Sequence, residues 1–234
     1  MAHILLLRHG QASFGTHNYD RLTELGQRQS RVLGEHLRQL GLRFDAMLSG
    51  SLARQQDTAE QARSQLTGEL PPLQTDPAFN EYDADGLFRA YLPRVLREDP
   101  QLGANPQALF KDRRLFQQAF MAVTGLWLEG ATPESGELEP WKNFESRVRD
   151  GLERLNADYG KDAQLAVFTS GGVIAAGVAL ALALTPPKTL KLNWGIYNAS
   201  VTELGFRRSG TYLLGFNNIT HLRLVNDPAL ITHR

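Results

Sequence analysis

An apolar run that stops on two polar residues constrains this chain more than any other feature. His3 to Leu7 reads His-Ile-Leu-Leu-Leu, and Arg8-His9-Gly10 follows at once. A run of that length without polar alternation predicts a strand buried on both faces, as a central parallel strand must be. Gly10 predicts a sharp turn where the strand stops. A guanidinium and an imidazole therefore stand at the carboxyl end of a central strand, where open α/β sheets bind ligands. Three readings of His9 follow. It hydrogen-bonds at a strand end, it ligates a metal, or it is a nucleophile or base in an anion site with Arg8 holding the anion. No His, Asp or Glu cluster at ligand spacing lies nearby, which weakens the second.

The rest of the pattern alternates strands and helices. Thr23 predicts a helix N-cap, with Leu22, Leu25, Val32, Leu33, Leu37 and Leu40 at helical spacing and Gly41 as the stop. Phe44 to Leu48 predicts the next strand. Ser51 then reads as the N-cap of a helix running to about Leu66, which puts Arg54 in the first turn. A cation there opposes the helix dipole, while the same N-terminus attracts anions, so Arg54 is a candidate phosphate clamp. Gly68 to Pro77 reads as a linker with one short strand. The segment from about Gly86 to Gly130 is helical and carries no chemical motif, with one helix around Tyr91 to Leu96 and another over Pro106 to Leu128. Trp141, Phe144, Val148, Leu152, Leu155 and Tyr159 mark the clearest amphipathic helix, ended by Gly160, and its aromatics read as core. Gln164 to Thr169 predicts a second buried strand, closing in Thr169-Ser170-Gly171-Gly172. A wholly apolar helix, Val173 to Leu184, follows and is stopped by Pro186 and Pro187. Ser200 to Phe206 and Thr211 to Asn217 read as a hairpin.

Composition narrows the function. Among 234 residues, Lys+Arg and Asp+Glu each number 25, so the formal net charge is 0. That argues against a general nucleic-acid or membrane-surface binder and leaves anion chemistry to local arginines. With Cys at 0, disulfides and thiol catalysis are excluded. Strand-like sequence begins at residue 3, and the longest apolar run falls short of the roughly 20 residues a bilayer requires. The expectation is a cytoplasmic protein.

Three strand ends thus carry polar groups: Arg8-His9-Gly10, Ser51 to Arg54, and Thr169 to Gly172. In a parallel sheet they share one edge and can form an oxyanion pocket suited to phosphate. With these in view, the chain resembles the histidine phosphatase superfamily, the clan of phosphoglycerate mutase. The resemblance rests on Leu6-Leu7-Arg8-His9-Gly10 and Leu22-Thr23-Glu24-Leu25-Gly26. It continues in Ser51-Leu52-Ala53-Arg54 with Thr58-Ala59, in Asn80-Glu81-Tyr82, in Val167 to Ile174, and in Asn217 to Leu222. It implies a three-layer α/β/α sandwich with a mostly parallel sheet, one domain over 1–234 with a helical insertion at about 82–140 beside the site. It also implies hydrolysis of a small phosphorylated substrate, with no metal and no cofactor. His9 would carry a phosphoryl group, Glu81 would be the general acid and base, and Arg8, Arg54, Ser170 and Gly171 would bind phosphate. Depression of the His9 pKa by the two arginines is expected.

Two departures stand out. The family usually has a second histidine where this chain has Ser170, which donates one neutral hydrogen bond and brings no charge. Gly15 stands where many members have an Asn. His221 lies in another segment and is a candidate to supply an imidazole from elsewhere. Rival readings are a phosphatase fold that binds a phosphorylated ligand or partner without turnover, a mutase, and a serine hydrolase using Ser170. The last lacks the Gly-x-Ser-x-Gly elbow, because Phe168 stands two residues before Ser170.

Overall fold

A computed structural model of the chain describes residues 2–13, 20–104, 107, 109, 111–207 and 210–233. Gly15 lies outside them. In chain order the elements are β1 (Ala2–Arg8), α1 (Glu24–Gln39), β2 (Ala46–Ser49), α2 (Ala53–Arg63) and β3 (Leu73–Thr75), then α3 (Ala84–Glu98), α4 (Pro100–Gly103), α5 (Arg113–Leu128) and α6 (Trp141–Tyr159). β4 (Gln164–Thr169), α7 (Gly171–Leu182), α8 (Pro186–Asn193), β5 (Val201–Arg207), β6 (Gly210–Asn218) and α9 (Thr220–Leu224) complete the chain. The six-stranded sheet runs β3-β2-β4-β1-β5-β6. β1 is parallel to β4, and β2 is parallel to both β3 and β4. β5 and β6 turn antiparallel at one side.

The alternation of side chains along β1 builds the layers. Leu5 and Leu7 join Leu33 and Leu37 of α1, Ala59 and Ala62 of α2, and Leu222 of α9 in one buried cluster. On the other face, Leu6 and Leu204 close on Gly177 of α7 together with Leu152 of α6. Ile4, Leu6 and Leu7 are each 0% exposed, so the central-strand expectation holds on both faces. Each such side chain contributes on the order of 1.5–3 kcal/mol from burial. α7 is buried continuously from Gly171 to Ala179, as its apolar sequence requires.

The chain divides into two compact units, Met1–Glu81 with Arg147–Arg234, and Tyr82–Ser146. The second unit has its own apolar centre. Tyr82 meets Phe144 edge-on at 5.5 Å, Trp127 meets Trp141 edge-on at 5.1 Å, and the Trp127 indole donates to the Glu139 carbonyl at 2.7 Å. Trp141 and Phe144 of α6 are core, as read, while Tyr159 is half-buried and its hydroxyl accepts from Gln74 at 3.1 Å.

Four local expectations need correction. α2 has Leu52, not Ser51, at its N-cap and ends at Arg63, not Leu66. The helix expected over Pro106 to Leu128 begins at Arg113, because the Asp112 carboxylate caps the amides of Arg114 and Leu115. α7 starts at Gly171, two residues early. Pro186 and Pro187 open α8 rather than only ending α7: proline suits a first helical turn, where its missing N–H is not needed. Among the described residues no helix is long and apolar enough to cross a membrane.

Candidate active site

Strand register brings the three predicted strand ends together. Arg8 is level with Thr169, and Ser49 with Phe168. The ladders continue one step past the strands, with the His9 amide donating to Thr169 at 2.9 Å and the Gly50 amide to Phe168 at 3.1 Å. His9, the start of α2 and the start of α7 therefore share one edge of the sheet.

The turn carrying His9 is pinned at each peptide. Its carbonyl accepts from the Ala199 amide and the Asn198 side chain, both at 3.2 Å. The Gly10 amide donates to Thr58 Oγ1 at 3.1 Å, and the Gln11 amide to Gln29 Oε1 at 2.7 Å. Gly10 is required for closeness rather than for an unusual φ, since a Cβ there would sit 2.3 Å from the Gly26 carbonyl oxygen. The His9 imidazole is 4% exposed, and its Nδ1 lies 2.7 Å from the Gly10 carbonyl oxygen. A carbonyl only accepts, so Nδ1 carries the hydrogen and Nε2 keeps the lone pair in the neutral ring. Burial first, then Arg54, then Arg8, hold the His9 pKa well below the ordinary histidine value, against the opposing effect of the Gly10 hydrogen bond. At neutral pH, His9 is an uncharged ring whose Nε2 is uncommitted to the backbone.

Arg8 donates from Nη1 to the Ile196 carbonyl. Arg54 is 6% exposed and pairs through Nη1 with Asp20 Oδ1 at 2.8 Å. The same carboxylate accepts the Ala53 amide at 2.8 Å and the Arg54 amide at 3.4 Å. A cation at the start of α2 is thus offset by an anion from a distant loop. Local spacing gave no sign of Asp20.

At the neighbouring helix start, Ser170 is fully buried at the N-cap of α7 but makes no capping bond. Glu81 does so instead, its Oε2 accepting the Gly172 amide at 2.9 Å. The Glu81 loop is tied on several sides. Arg147 donates to the Ala78 and Asn80 carbonyls at 2.9 and 2.8 Å, Thr169 Oγ1 donates to the Phe79 carbonyl at 2.7 Å, and Asn80 accepts the Ser51 amide at 2.6 Å. Gly171 allows a close approach, since a Cβ there would lie 2.1 Å from Asn193 Oδ1 and 3.6 Å from Arg8 Nε.

His221 does not join this group. It stacks on His36 of α1 at 5.0 Å, donates from Nε2 to the Ala199 carbonyl at 3.0 Å, and has its pKa lowered to about 4, chiefly by burial. Besides Asp20, sequence reasoning missed Asn198, Gln29 and Gln55, polar side chains that are each 0% exposed. Their spacing carries no signal, because each acts on a residue far away in sequence. Among the described residues no three His, Cys, Asp or Glu side chains are grouped to hold a metal ion.

Comparison with known proteins identifies the family and the fold. The serine/threonine-protein phosphatase Pgam5, mitochondrial, of Drosophila willistoni is 26% identical over 229 residues, covering 94% of this chain and 65% of the relative. The chain thus spans less than two thirds of that relative's length. A phosphoglycerate mutase from Bacillus anthracis superposes with a TM-score of 0.65 at 17% identity, covering 97% of both chains. A mycobacterial glucosyl-3-phosphoglycerate phosphatase superposes at 0.62 with 22% identity, over 93% of this chain and 99% of that one. The model of the histidine phosphatase superfamily (branch 1) matches residues 4–105 and 109–219, so the chain belongs to that superfamily.

Proposed function

We propose that the protein hydrolyses a phosphomonoester through a phosphohistidine on His9. The observation that carries this is the His9 ring itself: buried, its Nδ1 hydrogen committed to Gly10, its pKa held down beside two arginines. Nε2 attacks phosphorus as the bond to the leaving oxygen breaks, and Glu81 gives that oxygen a proton. Water then attacks the phosphohistidine, the N–P bond breaks back to Nε2, and the Glu81 carboxylate takes the water's proton. Arg8 and Arg54 hold the phosphoryl oxygens, with Ser170 and the start of α7 at Gly171 as neutral donors. The arginines supply the charge that magnesium supplies in many phosphoryl transfers, so no metal is invoked.

The neighbours' names span phosphoproteins, phosphoserine and a glucosylated phosphoglycerate, which fits a phosphomonoester and selects none of them. Trapping with a radiolabelled aryl phosphate tests the reading. Label is expected on His9, stable to base and labile to acid, and no label on a protein that turns over would refute it. One observation favours a second reading, binding without turnover: Ser170 brings no charge to the edge. We also propose a cytoplasmic location. The Drosophila relative is named mitochondrial, and cell fractionation decides between the two.

A further inference from the structure

We propose that Gln55 is a positioning residue that turns the Ser170 hydroxyl into an outward hydrogen-bond donor for the phosphoryl group. The inference rests on His9 lying in a phosphate site. Gln55 is 0% exposed on the inner side of α2. Its Nε2 donates to the Phe79 carbonyl at 3.0 Å, and its Oε1 accepts the Leu52 amide at 3.4 Å. A carbonyl can only accept and an amide N–H can only donate, so these two partners fix which way the side-chain amide faces. The second Nε2 hydrogen then goes to Ser170 Oγ at 2.9 Å, and Ser170 must accept it.

That leaves the Ser170 hydroxyl proton to be given away. A serine at an N-cap ordinarily spends its oxygen on its own helix. Here Glu81 has taken the Gly172 amide, and among the described residues the Ser170 hydroxyl donates to no acceptor. A fully buried hydroxyl with a fixed acceptor role and an uncommitted proton calls for a ligand acceptor. Ser170 directly follows Thr169, whose carbonyl holds the His9 amide, so a phosphoryl group at His9 would bring its oxygens to the same edge as Ser170. Gln55 would work through Ser170, not on the substrate.

The test is a double-mutant cycle of Ser170→Ala and Gln55→Met, a shape-conserving change that leaves the Phe79 carbonyl its Thr169 partner. Aryl phosphate turnover and binding of inorganic phosphate are both read, with thermal melts to establish folding. Each single variant is expected to lose about ten- to hundredfold in kcat, with KM nearly unchanged. The double variant is expected to lose no more than Ser170→Ala alone. Ser170→Thr, which keeps the hydroxyl, should retain most activity while Gln55 is present. If Gln55→Met costs as much in the Ser170→Ala background as in the wild type, Gln55 acts elsewhere and the proposal fails. Gln55→Leu replaces Gln55→Met should the latter not fold. Phosphate affinity reports the same coupling independently of turnover, so loss of the phosphohistidine reading alone leaves the cycle measurable. A wild type that binds no phosphate overturns the proposal outright.

Discussion

Two helices begin at the same edge of the sheet, and each is capped by a carboxylate from far along the chain. At α2 the cap is Asp20, 34 residues from the Arg54 side chain it pairs with. At α7 it is Glu81, 91 residues from the amide it accepts. The difference lies in where each carboxylate sits. Asp20 is bound to a nearly buried guanidinium as well as to two amides, an arrangement that fixes an anion in place. Glu81 accepts a backbone amide at the end of a tightly tied loop, an arrangement that aims an oxygen at the edge. The same local device thus serves two ends. Asp20 balances a cation, and in the proposed mechanism Glu81 moves a proton.

The largest effect that separates them is on chemistry. Glu81→Gln keeps an acceptor for the Gly172 amide and should leave the fold intact. It should cost about 10²–10⁴-fold in kcat on alkyl phosphates, whose leaving oxygen needs a proton. On p-nitrophenyl phosphate, whose leaving group needs none, the loss should be far smaller. The same leaving-group dependence in Asp20→Asn would erase the distinction.

Asp20→Asn should instead act on stability. A buried guanidinium that loses its charged partner costs about 1–3 kcal/mol. Added inorganic phosphate should restore part of that in thermal melts, because Arg54 regains an anion. An unchanged melting temperature would show that Asp20 does not carry the charge balance at α2.

Acid separates the site from its scaffold. Because the His9 pKa lies well below the ordinary value, kcat/KM on p-nitrophenyl phosphate, whose leaving group does not call on Glu81, should stay flat between pH 7.5 and 5.5 once the substrate's own ionisation is allowed for. A histidine of ordinary pKa would lose roughly tenfold over that range. Stability behaves oppositely. His9 and His221 are neutral in the fold but take up protons when unfolded, so the unfolded state gains as pH drops below about 6.5. Each should remove up to about 1.4 kcal/mol of stability per pH unit, for His221 down to about pH 4. Urea midpoints at pH 7 and 5 should differ less in His221→Phe than in the wild type.

How much of this was legible follows the range of each interaction. The central strand, the strand ends and α7 could be read because apolar runs and glycine turns are local. His9, Arg8 and Arg54 were legible as candidates because each sits where a strand stops or a helix starts. Gln55 could not be found, since its partner Ser170 is 115 residues away and nothing nearby marks the pair. Asp20 was missed for the same reason. His221 was legible as an unplaced imidazole, and only tertiary packing shows that it belongs to the His36 stack.

The most direct measurement is hydrolysis of an aryl phosphate by the wild type and His9→Ala side by side, with no metal added. Turnover by the wild type, with a loss of at least about 10³–10⁴-fold in His9→Ala, is the predicted result. Comparable and substantial rates from both proteins would contradict the role of His9.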